Sequence, residues 1–278
     1  MNMMNLELHP VFDRFQRTAP YDEYGLHYNF VGASVRLGLE RPLFEGVVSS
    51  GRCTKYDVTD PTYPHRWSED YFEWVDLLTA VDRARGRFTM IDVGAGYGRW
   101  TSNALAAIRR HKVGCLGHHI IAIEPEPMRY AALVDGVAGD PDVTTLNVGV
   151  TAEDGDFGIP SNDDYGAGVG IAREGLVAIG TVRLQDLIRE PIDFLDMDIQ
   201  GHEVGVIPGA IAAIDQYVKL AHIATHGKAT GDCLARLFDG LGWKPRYQFE
   251  PGAEIDTPLG PVGFIDGIQS WENPVYLT

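Results

Sequence analysis

The sequence has few of the features that mark disulfide-stabilised, membrane-embedded or secreted proteins. Its 278 residues include only three cysteines, Cys53, Cys115 and Cys233, too few and too scattered for a disulfide framework or a zinc cluster. No stretch approaches the roughly 20 apolar residues of a membrane span. The N-terminus has acids and a proline where a signal peptide needs an apolar core. We therefore expect a cytoplasmic protein with no membrane partner.

Positive charge is also scarce. The chain carries 23 Lys and Arg against 39 Asp and Glu, a formal net charge of −16. Proteins that bind nucleic acid through its phosphates need a basic excess, so the charge argues against a nucleic-acid partner. The hydrophobic fraction of 45% is ordinary for a globular protein, and the chain is long enough to bury a full core.

The composition and hydrophobic pattern of the sequence change near residue 87. Residues 1–87 are rich in aromatics and hold few apolar runs of the kind that form buried strands. One helix is predicted there, capped by Ser68 and ending near Ala84, because its apolar residues recur at helical spacing. We predict an accessory helical segment over 1–87 and a second domain over 88–278.

Residues 88–278 alternate between apolar strands and helices. Strands are predicted at 88–94, 119–125, 143–150, 192–199 and 217–226, and helices at 100–111, 126–137, 204–214 and 232–243. Segments 243–249 and 273–278 are expected to form a terminal antiparallel hairpin, and 151–180 to form hairpins or a loop. Short apolar strands separated by helices predict a doubly wound α/β fold with a mostly parallel sheet.

A glycine-rich turn follows the first of these strands. It consists of Asp92, Val93, Gly94, Ala95, Gly96, Tyr97 and Gly98. Glycines let the backbone approach a ligand closely, and open α/β sheets bind ligands at this carboxyl edge. The dinucleotide fingerprint needs glycine where this chain has Arg99, which disfavours a diphosphate cradle. Glu124 closes the second strand, where a carboxylate can accept both ribose hydroxyls of an adenosine-containing ligand.

The segment from Asp193 to Glu203 begins as the apolar fourth strand and ends in a dense polar cluster. Asp196 and Asp198 share one face of the strand by alternation. Two carboxylates this close raise the pKa of one of them unless a cation or donor separates them. This strand end is therefore a functional candidate, and a structural pairing with arginine is the alternative.

Taken in order, IDVGAGYG, IAIEPEP, LNVGV, VRLQDLI and IDFLDMDIQGHEVGVIPGA resemble the FkbM-type methyltransferases of the class I fold. The resemblance covers about residues 88–226. It implies a seven-stranded Rossmann-like sheet and an S-adenosylmethionine-dependent O-methyltransferase, with S-adenosylhomocysteine as the product. The implied acceptor is a hydroxyl on a small molecule such as a sugar or another specialised metabolite. Members commonly have lysine where this chain has Asp196, and Glu-x-His where it has Ala224-Thr225-His226.

The resemblance also implies roles for individual residues. Asp92 and the turn from Gly94 to Gly98 would surround the methionine and ribose parts of the cofactor, and Glu124 would hold the ribose. Pro125 and Val150 would flank the adenine. Asp198 would line the junction between the cofactor and acceptor pockets.

Two histidines are candidates for the base that removes the proton of a hydroxyl acceptor. His226 closes a strand on the ligand edge and ranks first, and His202 lies in the acidic cluster with Asp198. A structural role is the alternative for each. His222 is expected in the core, and His118-His119 at the opposite edge. A divalent cation on Asp198, Glu203 and His226 is conceivable but not favoured, because no dedicated ligand spacing is present.

Two other functions stay open at the level of the sequence. One is an NAD(P)-dependent oxidoreductase on a related sheet, which Arg99 and the acidic cluster disfavour. The other is a methyltransferase fold that has lost catalysis and serves as a binding subunit. The sequence identifies neither the acceptor nor the oligomeric state. A homo-oligomer stays among the options.

Overall fold

A computed structural model describes residues 9–18, 21–23, 26–36, 69–114, 117–153, 155–160, 170–171, 176–257 and 260–277. Its centre is a seven-stranded sheet with helices packed on both faces. The strands are β1 (Tyr21–Glu23), β2 (Leu26–Tyr28), β3 (Ser34–Arg36), β4 (Arg87–Val93), β5 (Gly117–Ile123), β6 (Val143–Leu146), β7 (Gly149–Thr151), β8 (Phe157–Pro160), β9 (Gly170–Ile171), β10 (Leu176–Ile179), β11 (Thr181–Arg183), β12 (Phe194–Met197), β13 (Leu220–Thr225), β14 (Lys244–Phe249), β15 (Glu254–Thr257), β16 (Gly260–Gly263) and β17 (Gly267–Glu272).

The α-helices are α1 (Asp70–Arg83), α2 (Arg99–Arg110), α3 (Pro127–Gly136), α4 (Leu184–Leu187), α5 (Glu203–Tyr217) and α6 (Lys228–Gly240). Two short 3₁₀ helices lie at Pro10–Arg14 and Pro274–Tyr276. Among the described residues, none of the helices combines the length and apolar character needed to cross a membrane.

The central sheet has the order β14-β17-β13-β12-β4-β5-β6. Strands β6, β5, β4, β12 and β13 run parallel, and β17 pairs antiparallel with both β13 and β14. The chain leaves β4 towards one edge through β5 and β6, then returns to add β12 on the other side. The strand order therefore reverses between β4 and β12, and ligands bind at the carboxyl ends of strands beside such a reversal.

The predicted α/β fold is confirmed, with two corrections to its strands. The strand expected at 143–150 ends at Leu146, and residues 149–151 form β7, which pairs with β11 in a separate two-stranded sheet. The last strand is Gly267–Glu272 rather than 273–278, which instead contains the 3₁₀ turn at Pro274. In the described part of 151–180, β8 pairs antiparallel with β9 and β10, as the expectation of hairpins required.

Helix α1 ties the N-terminal part of the chain to the sheet. Its bounds match the predicted helix, although Ser68 lies outside the described residues. Asp76 on α1 is fully buried, accepts a 2.8 Å hydrogen bond from Arg246 Nε and lies 2.9 Å from His222 Nδ1. His222 is thus a core residue, as predicted. The described N-terminal residues also form a three-stranded antiparallel sheet, β1 to β3, which the sequence pattern did not indicate.

Candidate functional site

The glycine-rich turn lies at the carboxyl end of β4, beside the reversal of strand order. The amides of Gly94 and Ala95 both donate to the carbonyl of Ile123, at 3.0 and 2.9 Å. Gly94 has φ +87°, and a Cβ there would lie 1.8 Å from the carbonyl oxygen of Asp198. Only glycine fits this position, because the turn and the end of β12 touch backbone to backbone. Gly98 then begins α2 with φ +86°.

Glu124 binds the same turn through its side chain. The Gly96 amide donates to Glu124 Oε2 and the Glu126 amide to Oε1, each at 2.8 Å. Burial raises the pKa of Glu124, and the two amides together with the nearby Arg129 oppose that shift. Each carboxylate oxygen can accept more than one hydrogen bond, so this position can still receive ribose hydroxyls.

Asp92 lies below the turn as the penultimate residue of β4. It is buried, and Thr101 Oγ1 on α2 donates to its Oδ2 at 2.6 Å. Burial raises the pKa of Asp92 to about 7, and the charges of Glu124 and Asp198 add to the shift against the hydrogen bonds from Thr101. Its protonation therefore responds to any charge that enters the site.

An open cleft of about 260 Å³ lies at this edge of the sheet. Four predicted site residues, from four separate segments, meet in its wall. The lining residues are Val93, Gly94, Ile123, Pro125, Val148, Val150, Ile199 and His202. The wall is mainly apolar, which suits a flat aromatic ring, and Glu124 stands between two of the lining residues in the chain. Val150 reaches the cleft from β7 and not from the third strand of the sheet.

His226 and Asp198 come together beyond the ends of β13 and β12. His226 Nε2 lies 3.3 Å from Asp198 Oδ1 and 3.7 Å from Asp266 Oδ1. On the other side of the ring, Nδ1 lies 3.1 Å from Oε1 of Glu203. Burial alone lowers the pKa of His226, but the hydrogen bond that its ring donates to Glu203 and the charges of Asp198 and Asp266 outweigh it, so the net shift is upward.

Asp198 itself is an unusual carboxylate. Its side chain is 46% exposed, yet the protein atoms crowded around it raise its pKa to about 6, with Asp266 and Glu203 adding to the shift and His226 opposing it. Gln200 Nε2 donates to its Oδ1 at 3.0 Å. The group is therefore open to a ligand and close to a proton-binding partner.

The same three residues bear on the question of a cation. One ligand atom from each of Asp198, Glu203 and His226 lies within 4.8 Å of the others, which is close enough for a divalent ion. However, Glu203 and Asp198 face different nitrogens of the imidazole ring. A metal takes only one of those nitrogens, so the donors do not converge on a single point. The arrangement is that of a carboxylate–histidine–carboxylate chain.

Within the part of the chain that the structure describes, Asp196 is paired with the carboxyl group of Glu73 on α1 and not with the arginine that the sequence left as an alternative. Burial and the neighbouring Asp196 raise the pKa of Glu73 well above its ordinary range. Burial and the charge of Asp92 likewise raise the pKa of Asp196, and the hydrogen bond with Glu73 opposes that shift. His202 lies in the cleft wall at the start of α5, apart from the His226 cluster. His118 and His119 begin β5 at the opposite edge, where they contact Asp140 and Glu190.

The sequence pattern did not identify Glu203 and Asp266 as two of the residues that surround His226. Glu203 appears there only as a conceivable cation ligand, and Asp266 does not appear at all. Glu203 stands two residues after Gly201 at the start of a helix, a position where an acid also has an ordinary helix-capping function. Asp266 lies between β16 and β17, and no local sequence pattern links it to the ends of β12 and β13.

Comparison with known proteins adds a family to this geometry. The family model described as "Methyltransferase FkbM domain" matches residues 92–254, more than half of the chain. A curated protein of Jannaschia sp. (strain CCS1), named "Putative methyltransferase", is 27% identical over 229 residues, which cover 76% of this chain and 81% of that protein. The family match spans the glycine turn, the cleft, and His226 with Asp198 and Glu203, and it ends before Asp266.

Two solved structures are similar at a lower level. Methyltransferase FkbM from Methylobacillus flagellatus KT is 13% identical with a TM-score of 0.44, and covers 84% of this chain and 60% of its own. An rRNA methylase from Streptococcus thermophilus is 13% identical with a TM-score of 0.42, and covers 72% of this chain and 94% of its own. At these TM-scores neither structure bears on what the present chain methylates.

Proposed function

The chain belongs to the FkbM methyltransferase family, and on that premise we propose that it moves the methyl group of S-adenosylmethionine to a hydroxyl oxygen of a small molecule. The proposed acceptor is a sugar or another specialised metabolite. The observation that carries the proposal is the convergence of Gly94, Pro125 and Val150 on one cleft, with the Glu124 carboxylate beside them.

These residues fit the cofactor. The apolar wall around Pro125 and Val150 accommodates adenine, and Glu124 can accept the ribose hydroxyls. Asp92 and the turn from Gly94 to Gly98 lie where the methionine part would be held, with Asp198 between the cofactor and the acceptor. When bound, S-adenosylmethionine supplies an activated methyl group on a sulfonium leaving group. The protein then has to hold the acceptor in line, which contributes about 7–11 kcal/mol in well-oriented systems.

His226 is the proposed base. Its Nε2 is buried and has no aligned hydrogen-bond partner among the described residues, and Asp198 and Asp266 flank the space that it faces. With the cofactor bound, His226 Nε2 would take the proton of the acceptor hydroxyl as the acceptor oxygen bonds to the methyl carbon, and the electron pair of the broken carbon–sulfur bond would stay on sulfur. His202, in the cleft wall, is the second candidate for an active-site histidine.

The part of the molecule around α1 is proposed to border the acceptor site. Glu69, the residue before α1, accepts a 2.8 Å hydrogen bond from the amide of Ile265, next to Asp266. The side chain of Ile265 is half exposed. We therefore keep the division into a segment 1–87 and a domain 88–278 as a proposal. In it, the segment 1–87 forms part of the acceptor site of the domain 88–278.

Calorimetry followed by an acceptor screen tests the function. We expect S-adenosylhomocysteine to bind the full chain and NADH and NADPH not to bind. Incubation with methyl-labelled S-adenosylmethionine and a panel of hydroxylated metabolites should give an alkali-stable methyl ether. Binding of NADPH in place of S-adenosylhomocysteine would refute the transferase in favour of an oxidoreductase. Binding without transfer to any acceptor class would favour a non-catalytic binding subunit.

A further inference from the structure

Glu203 is a fully buried carboxylate at the first position of α5, directly behind the proposed base. It is 0% exposed. Its Oε1 accepts the amides of Ile199 and Gly201 at 3.3 and 3.2 Å and lies 3.1 Å from His226 Nδ1. Its Oε2 has no hydrogen-bond partner among the described residues. A buried carboxylate with one oxygen unsatisfied is costly, so stability alone is a poor explanation for an acid at this position.

The contact with His226 gives that acid a chemical use. A carboxylate accepts but does not donate when it is ionised, so Glu203 favours the imidazole tautomer with its hydrogen on Nδ1. The lone pair of the ring is then on Nε2, which points away from Glu203 towards Asp198 and Asp266. When Nε2 gains a proton, the imidazolium lies between Glu203 on one side and those two acids on the other.

We propose that Glu203 is a positioning residue for methyl transfer, which fixes the Nδ1–H tautomer of His226 and stabilises the imidazolium that forms when Nε2 takes the acceptor's proton. The inference rests on the proposed function, in which His226 is the base. Glu203 acts through His226 and does not touch the acceptor. The proton moves from the acceptor oxygen to Nε2 and later to solvent.

The variant Glu203→Gln separates this role from support of the loop. Its amide oxygen can still accept the Ile199 and Gly201 amides, but it is neutral and cannot stabilise an imidazolium. The matched control is Asp193→Asn. Asp193 is also buried and accepts the backbone amide of Thr89 at 2.9 Å, but it lies before β12 at the other end of the sheet.

Nitrogen-detected NMR of the His226 ring, assigned by its loss in His226→Asn, gives a readout that needs no acceptor and no turnover. At a pH above the pKa of His226, where the ring is neutral, we expect the Nδ1–H tautomer in the wild-type chain. In Glu203→Gln we expect a mixture of tautomers and proton affinity at least about tenfold lower, while Asp193→Asn leaves both unchanged. Once an acceptor is known, Glu203→Gln should lower kcat about 10²-fold, with Kd for S-adenosylhomocysteine unchanged.

Three results would overturn the proposal. The first is an unchanged tautomer and proton affinity in Glu203→Gln. The second is an Nε2–H tautomer in the wild-type chain, which decides the matter even if the variant does not fold. The third is broadening of the His226 signals by Mn²⁺ that is lost in Glu203→Gln, which would make Glu203 a cation ligand. Failure of the wild-type chain to bind S-adenosylhomocysteine or transfer methyl would instead refute the proposed function and leave the NMR result standing.

Discussion

Glu124 joins the two halves of the predicted cofactor site at the scale of single residues. Its two oxygens hold the amides of Gly96 and Glu126, so the acid organises the turn as well as offering itself to a ligand. Removal of the carboxylate should therefore remove both the ribose contact and the alignment of the turn. A neutral amide in its place keeps one acceptor oxygen and loses the charge.

We expect Glu124→Ala to weaken the binding of S-adenosylhomocysteine at least about tenfold, the loss of one charge-assisted hydrogen bond, with Glu124→Gln intermediate. Isothermal calorimetry measures both. Glu190→Ala is the control, because Glu190 contacts His119 and Arg87 at the far end of the sheet. A Kd in Glu124→Ala equal to that of the control would remove the ribose assignment.

The two candidate histidines should separate in a kinetic experiment. His226 lies among carboxylates beyond the ends of β12 and β13, while His202 lies in the wall of the cleft. We expect His226→Ala to lower kcat about 10²-fold and to leave the Kd of S-adenosylhomocysteine unchanged. His202→Ala should show the opposite pattern, a raised Kd with a smaller loss of kcat. If the two variants behave alike, the division of roles drawn from their positions is wrong.

At the scale of elements, the contact between the glycine turn and the end of β12 is the tightest in the site. Gly94 and Gly86 both have positive φ, +87° and +74°, but only a side chain at Gly94 would meet backbone, whereas Gly86 has open space. Alanine substitutions at Gly94 and Gly86 therefore share the energetic cost of a positive φ, and only the substitution at Gly94 adds a steric clash with backbone.

We expect Gly94→Ala to lower the free energy of unfolding by more than about 3 kcal/mol, because the conformational strain adds to overpacking against Asp198. Gly86→Ala should cost only about 1 kcal/mol, the conformational part alone. Urea denaturation of the two variants, with calorimetry of S-adenosylhomocysteine, provides the measurements. Equal destabilisation would mean that the turn can move away from β12.

Helix α1 is held to the sheet by a buried network of charged and polar side chains. Asp76 lies between His222 and Arg246, fully buried. We expect Asp76→Ala to lower the free energy of unfolding by about 3 kcal/mol, because it removes the nearer counter-charge of the buried Arg246 and leaves only the longer pair with Glu272 at 3.8 Å. Asp232→Ala, which breaks an exposed pair with Lys228 at 3.6 Å, should change it by less than about 1 kcal/mol. Thermal or urea unfolding distinguishes the two.

The elements that the sequence predicted are those whose signal is local. The strands β4, β5, β12 and β13 are buried apolar runs, and the turn after β4 carries three glycines within the five positions 94–98. The strand β17 was missed because its position between β13 and β14 is set by antiparallel pairing with residues far away in the chain. The relation of Glu203 and Asp266 to His226 was also missed, because the three residues are far apart in the chain and come together only in the folded sheet.

At the scale of the whole molecule, several acidic side chains are buried, among them Asp92, Glu124, Asp196 and Glu203. Asp92, Asp198 and Glu69 all have raised pKa values, about 7, 6 and 8, with burial as the largest cause in each. The pKa of His226 is also raised. Unfolded Asp and Glu titrate near 4, so between about pH 5 and 8 the folded chain holds protons on these carboxyls that the unfolded chain has released.

The stability of the protein should therefore fall as the pH rises from about 5 to 8. The folded state binds more protons than the unfolded state in this window, and each excess proton lowers the free energy of unfolding by about 1.4 kcal/mol per pH unit. His226, with a raised pKa, acts in the same direction, whereas the lowered pKa of His9 acts against it. The carboxyls with lowered pKa values, Asp82, Asp140 and Glu190, add stability above about pH 4 and lose it in acid.

Urea unfolding without cofactor at several pH values measures this slope, and Asp92→Asn identifies its source. The asparagine oxygen can still accept from Thr101, so the variant keeps the 2.6 Å contact and loses the titration. We expect a shallower decline of stability in Asp92→Asn, most clearly around pH 7. A wild-type chain that grows more stable between pH 5.5 and 8 would contradict the protonation of these buried acids. The site would then hold its negative charges unneutralised, and Asp92 could not be the group that responds to an incoming cationic cofactor.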